Sequence, residues 1–339
     1  MNDYDRLVSF FDGREFYDNS FLALMRCKRK AMLARVGIHG RILENRVGPG
    51  ADFGTCIHAG LAAYTAGWGR LTDEQRRFMA IRAFSKVYAE YDFTIRKGKR
   101  QGTIPTNHTL ARGVDILDAY FDQYLQEDPL LRPVAAELGF AVEIGPRPGE
   151  RDFKPFTYVG AVDGVFSRSI DNRILPRETK TTSSDAEGRL RQLNFDHQPV
   201  GYVTCLREFP ECRDIYSFIG DVILVAATKL EFARNYFETN ERQRESWRNQ
   251  VIEKVEYWRS LCERAKGRPI NEQLDIFYQE TNDCFSYGKC SYYDICDYGV
   301  TQESIAEYGY GVWNPLLRRP PSKILVSADN QMDTITIVR

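Results

Sequence analysis

Apolar and polar positions alternate most informatively between Tyr158 and Ser184. Two β-branched runs there, YVGAVDGVF and RILPRETKTTSS, flank the turn signal Asp171-Asn172 and predict a β-hairpin. Before it, AAELGFAVEIG at 135–145 alternates well enough to be the first core strand, and after it IYSFIGDVILVAA reads as another. Elsewhere the period is helical. Residues 19–36 begin with Asn-Ser and carry apolar side chains at 21, 22, 25, 32, 33 and 36, predicting one amphipathic helix. DFGTCIHAGLAAYTAG predicts a helix opened by Gly54 and Thr55, and Thr72 to Asp92 one with a T-x-x-Q capping box. Thr109 to Gln126 places Leu110, Val114, Leu117, Phe121 and Tyr124 on one side of a further helix. Another begins near His197, and a long one from Glu231 to Lys266 carries the stripe Trp247, Val251, Val255, Trp258 and Cys262. KILVSADNQMDTITIVR suggests a terminal hairpin. Strands interleaved with helices predict an α/β fold, a small mixed sheet flanked by helices.

The hairpin also concentrates chemistry. Asp163 lies on its first strand, while Glu178 and Lys180, two apart on the second, share one face by strand periodicity. Gln198 and Tyr202, four apart, share one face of the following helix. The same residues would also suit a solvated hairpin end carrying a surface ion pair. Pro176 lacks a backbone donor, so the second strand is expected at a sheet edge or locally distorted. Glu137 and Glu143 are further acidic candidates. His58 stands one turn into its helix, with Cys56 as a rival soft ligand. Cys284, Cys290 and Cys296 follow the spacing C-x5-C-x5-C amid Gly, Asn and aromatics, which points to metal binding and leaves one ligand position open. Cys27 can fill it. Cys205, Cys212 and Cys262 read as packed thiols.

Bulk composition narrows the classes. The 339 residues are 43% hydrophobic, enough for a sizeable core, and no apolar run approaches the ~18 residues of a membrane span. The N-terminus has no signal-peptide layout, so a cytoplasmic chain with reduced thiols is expected. With 46 basic and 47 acidic residues the net charge is -1, so nucleic-acid binding would need a local basic groove. Arg26 to Lys30 and Arg96 to Arg100 are the two short basic segments; the second is equally a solvated connection or a phosphate-contacting loop. No helix-turn-helix or zinc-finger spacing is present for reading a duplex sequence.

An Asp, then E-x-K at the end of the next strand, then Q-x3-Y, preceded by a G-x3-H helix at Gly54 to His58, resembles the RecB-like branch of the PD-(D/E)XK nuclease superfamily. One early cysteine awaiting three late ones is similar to its iron-sulfur exonucleases, which include CRISPR-associated and phage members. The resemblance covers roughly residues 17–300. It implies a single restriction-endonuclease-like domain over 1–339, with a catalytic core at about 50–230, a cluster region at 17–36 plus 275–300 and a C-terminal hairpin at 320–339. It further implies a DNA exonuclease in which His58, Asp163 and Glu178 hold Mg²⁺ or Mn²⁺. Lys180 would polarise water, Gln198 and Tyr202 would steady the lysine and the strand, and Cys27, Cys284, Cys290 and Cys296 would ligate a [4Fe-4S] cluster. The partner implied is DNA, as single strands or ends, with protein partners in a recombination, repair or CRISPR-type complex. A non-catalytic DNA-binding or assembly subunit with this fold, and a zinc-bearing structural protein, are the competing expectations.

Overall fold

The computed structural model describes residues 10–11, 14–41, 49–95, 102–285, 290–301, 308–310, 323–328 and 331–335. The strands are β1 (Phe10–Phe11), β2 (Arg14–Asp18), β3 (Ile38–Arg41), β4 (Leu131–Ile144), β5 (Phe156–Arg168), β6 (Ile174–Thr182), β7 (Ser217–Leu224), β8 (Phe232–Glu238), β9 (Tyr308–Tyr310), β10 (Lys323–Ala328) and β11 (Gln331–Ile335). The helices are α1 (Asn19–Leu24), α2 (Lys28–Arg35), α3 (Pro49–Ala66), α4 (Asp73–Tyr88), α5 (Leu110–Gln123), α6 (Ala186–Leu193), α7 (His197–Leu206), α8 (Glu241–Ala265), α9 (Ile270–Ile276) and α10 (Tyr293–Tyr298).

Nine strands form one mixed sheet along the path β11-β10-β4-β5-β6-β7-β8, with β2 beside β5 and β1 beside β2. It is larger than the small sheet expected, because the terminal hairpin docks β10 parallel to β4 and β2 runs parallel to β5. Helices cover both faces. Val222 belongs to the core shared with α7 and α8, and Ile223 to the core shared with α3, α4 and α5, as strand alternation requires. No helix among the described residues is long and apolar enough to cross a membrane.

β5 and β6 form the expected hairpin, with Asn172 at φ 55° in its turn, a conformation that Asn tolerates better than most residues. β6 is not an edge strand: it lies between β5 and β7. Pro176 is accommodated because it pairs only with β5, and the parallel ladder to β7 starts one residue later, at Arg177. The β5–β6 ladder itself is short, running from Ser167↔Ile174 to Gly164↔Arg177. On the same edge of β5, β2 pairs only with Thr157 to Val159. Among the described residues no strand pairs with 160–163 of β5 on that side, and the sheet forks where Asp163 and Glu178 emerge.

Three helical expectations change. The segment 19–36 folds as two helices, α1 and α2, broken at Met25 to Cys27. The break lets Arg29 reach the Leu274 and Phe277 carbonyls with its side chain. The cap of α1 is Asp18, whose carboxylate accepts the Phe21 N–H at 2.9 Å. Residues 232–238 form β8 rather than the start of a long helix, since β7 needs an antiparallel partner on its outer side. α8 begins after the capping box of Asn240 and Gln243, and its predicted stripe is buried; truncating Trp258 would cost about 3–5 kcal/mol. On α5 the buried face is Gly113, Ile116, Leu117, Tyr120 and Phe121, while Leu110 is exposed. The capping box at Thr72 and Gln75 is present as read.

Two glycines set close approaches. A Cβ at Gly54 would stand 2.6 Å from Thr181 Oγ1, so α3 can lie this tightly on β6 only without one. At Gly201 a Cβ would stand 2.7 Å from the Trp247 ring, which fixes α7 against α8.

Candidate active site

The fork delivers the first carboxylate. Asp163 is the last β5 residue before the ladder to β6 begins, and its Oδ2 accepts the Thr179 N–H at 2.8 Å, a donor that the divergent ladder leaves unpaired. Its Oδ1 meets His58 Nδ1 at 3.1 Å, brought there from α3 by the packing at Gly54. Burial opposes the charge on Asp163. The charge of His58, its hydrogen bond, the Thr179 N–H and the Lys180 ammonium nevertheless hold its carboxyl below the ordinary value.

Glu178 follows on β6 with its side chain 2% exposed, one Oε1 paired to Lys180 Nζ at 2.5 Å. Its Oε2 is buried with no hydrogen-bond partner. Burial pushes this carboxyl up to about 7, helped by the negative charge of Asp163 and opposed by Lys180. Lys180 is held in its charged form: burial works against it, but Glu178, Asp163 and Asp196 more than offset that. The ammonium also donates to Gln198 Oε1 at 2.8 Å, and Gln198 Nε2 donates to Tyr202 Oη at 2.5 Å. Burial, with Glu178 and Asp163, drives the Tyr202 phenol well above its usual value, so Tyr202 stays a neutral hydroxyl. The six expected residues thus form two sets of polar contacts, His58 with Asp163, and Glu178 with Lys180, Gln198 and Tyr202, which influence each other electrostatically.

Glu137 and Glu143 separate cleanly. The β4–β5 register pairs Ala136 with Gly164 and Leu138 with Val162, which sets Glu137 opposite Asp163. Glu137 takes φ 52°, a strained conformation for a non-glycine residue that costs about 1–3 kcal/mol. Glu143 pairs with Thr157, six residues further along the strand, and is exposed.

Among the described residues no three His, Cys, Asp or Glu side chains stand together at metal-holding separation. The donor set nonetheless fits a hard divalent cation. Asp163 is in contact with His58, Glu178 lies within the electrostatic reach of both, one Glu178 oxygen is buried without a partner, and Lys180 is paired to the other. Cys56 is no rival ligand here, since it is fully buried in the α3–α5 core with its thiol on the Asp52 carbonyl.

The four cluster candidates lie within electrostatic reach of one another at another corner, though no three of them stand at metal-holding separation. Cys27 is buried at the N-cap position of α2, Cys284 ends a 3-10 turn, Cys290 donates its N–H to the Cys284 carbonyl at 2.8 Å, and Cys296 lies on α10. Burial raises the Cys284 thiol, and Cys290 and Cys27 lie near enough to raise it further. Burial likewise pushes Cys296 up to about 11, with Arg29 opposing and Cys27 and Cys290 adding to it. All eight cysteines are free thiols. The basic segment Arg96 to Arg100 lies outside the described residues.

Sequence reasoning missed the support behind the site. Arg177, beside Glu178, approaches Asp221 at 4.0 Å, and Asp221 is clamped by Arg234 from β8 and by Tyr120 from α5. An Asp amid the apolar run of β7 was the available signal, since such an acid is buried only when paired.

Comparison with curated proteins finds no match. Among solved structures, the crystal structure of SSO0001 is similar at 13% sequence identity, covering 72% of this chain and 86% of that one, with a TM-score of 0.27. Residues 20–297 match the family model of the PD-(D/E)XK nuclease superfamily, and the chain belongs to that superfamily.

Proposed function

We propose that this nuclease is a Mg²⁺- or Mn²⁺-dependent DNA exonuclease acting on single strands or ends. The observation that carries this reading is the buried Glu178, with one oxygen on Lys180 and the other unpartnered beside Asp163. Asp163 and Glu178, with His58, would hold the cation, which when bound lowers the pKa of a water and offsets charge on the phosphate. His58 Nδ1 and the Thr179 N–H fix the Asp163 carboxylate in orientation. Glu178 and Gln198 use two of the three Lys180 donors, leaving one for a phosphate oxygen or the attacking water. Tyr202 holds the Gln198 amide so that its oxygen faces the lysine. Cys27, Cys284, Cys290 and Cys296 would carry an iron-sulfur cluster, a donor set of four soft thiolates gathered from both ends of the described chain. The cluster's part is structural, tying residues 27–35 to residues 284–296.

The test uses end-labelled single- and double-stranded DNA with Mg²⁺ or Mn²⁺. Lys180→Ala and Glu178→Gln should each lower the cleavage rate at least ~100-fold while the protein stays folded by circular dichroism. Cleavage within a few-fold of wild type in either variant would remove the site from the reaction.

A further inference from the structure

Beside the active site runs a groove of about 530 Å³, bounded by α1, the break before α2, the α6–α7 link and α8. Its volume lies within the ~300–1,000 Å³ of ligand-sized clefts. Arg26, Lys28, Arg189 and Lys254 line it, against a single carboxylate, Asp196. That carboxylate is already engaged, by Arg189 at 3.2 Å and by the Gln198 N–H at 3.0 Å. Lys254 is partly desolvated, stands within the field of Arg26 and has its ammonium pKa lowered by both, so two cations are held together with no described carboxylate paired to either. Lys28 sits over the Tyr278 and Tyr257 rings at 5.1 and 5.9 Å. Phe195, on the groove's lining, is 79% exposed, a cost in water unless something covers the ring. Behind it a second cavity of about 250 Å³ is lined by Asn194, Ser246 and Gln250 with Trp247. Two residues separate Phe195 from Gln198, the partner of Lys180.

We propose that this groove is the track along which a single DNA strand approaches the active site. Its phosphates lie over Arg26 and Lys254, and one base is stacked on Phe195. The inference rests on the nuclease reading and specifies its substrate. Two cations without a described carboxylate partner, among four lining the groove, are complementary to a phosphodiester backbone, and an exposed phenyl ring beside them is complementary to an unstacked base. A duplex keeps its bases stacked inside, so it can satisfy the cations and not the ring.

Binding of the full chain to fluorescein-labelled oligothymidylate in EDTA, followed by anisotropy between 50 and 200 mM salt, tests this. Replacing both cations (Arg26→Gln with Lys254→Gln) should weaken binding at least ~10-fold and flatten the log K against log salt slope by about 1.4, two phosphates at ~0.7 each. Phe195→Ala should weaken oligothymidylate binding about tenfold and leave an abasic strand of equal charge unaffected. Arg268→Ala, an exposed cation on another face, serves as the control for loss of charge alone. An unchanged salt slope, equal loss on the abasic strand, or wild-type affinity for duplex matching that for the single strand would each overturn the track. If either substitution lowers the melting temperature, Lys254→Arg must restore the salt slope in the Arg26-intact chain; failure to do so also overturns it. Wild-type protein that cleaves DNA while the groove variants bind and cleave normally sinks the track alone. Groove-dependent binding without any cleavage supports the track and sinks the nuclease proposal.

Discussion

Asp221→Ala should destabilise the protein by about 3 kcal/mol, the lower end of the range for breaking a buried ion pair. The carboxylate is fully buried and accepts Arg234 Nε at 2.6 Å, Arg234 Nη2 at 3.0 Å and Tyr120 Oη at 2.6 Å. Removing it leaves Arg234, 3% exposed in its side chain, with Asp128 at 3.0 Å and Glu127 at 3.4 Å. Those remaining acids are why the lower end applies. Replacing both members together, Asp221→Leu with Arg234→Met, should cost less than ~1 kcal/mol, because it removes the charge and its desolvation at once. Urea unfolding of wild type, Asp221→Leu, Arg234→Met and the double variant gives the coupling energy, expected above ~2 kcal/mol. The pH dependence supplies a second reading. Burial opposes the Asp221 charge, but Arg234, Arg177 and the Tyr120 bond hold its carboxyl below the ordinary value. A folded-state pKa below the unfolded ~3.9 means that its contribution is complete above about pH 4 and is lost as pH falls through the folded value. The gap between wild type and Asp221→Ala should therefore be flat from about pH 5 to 8 and narrow in acid. A single substitution costing under ~1 kcal/mol, or a gap that widens in acid, would refute the reasoning.

If the proposed cluster is present, Cys27→Ser should lower bound iron and solubility together, since ligation there would close a loop of more than 250 residues and act as folding free energy, while Cys56→Ser should leave the iron content unchanged; full iron with unchanged melting in Cys27→Ser would exclude that thiol as a ligand. Gly54→Val should destabilise by about 1–3 kcal/mol through contact with Thr181 and displace His58 from Asp163. Adding Thr181→Ala should recover most of the loss in thermal melts, and no recovery would mean that the strain lies elsewhere.

The β5–β6 hairpin was legible because a turn dipeptide and a two-residue period are local signals, and they singled out Asp163, Glu178 and Lys180 as candidates. Gln198 and Tyr202 were legible for the same reason at helical spacing. The fork was not, because it depends on β2 ending its pairing at Val159 and β6 beginning at Gly164, a long-range register with no local signature. β8 was hidden because its polar residues continue into a strong helix, and only the neighbour β7 makes it a strand. The groove draws Arg26, Phe195 and Lys254 from three distant segments, so no spacing could assemble it.

The N-terminal helices are fastened by the other end of the described chain. Arg29 reaches the carbonyls of Leu274 and Phe277, Tyr292 donates to the Ile38 carbonyl, Arg259 grips Glu15, and β3 pairs with β9. As a ribosome makes the chain, residues 15–41 emerge more than two hundred residues before these partners exist. Such contacts raise contact order, so this corner should fold last and slowly, with Phe16, Phe21 and Met32 exposed in the meantime. The interval before residues 259–310 are made is the stage at which this corner is most open to aggregation or to a chaperone.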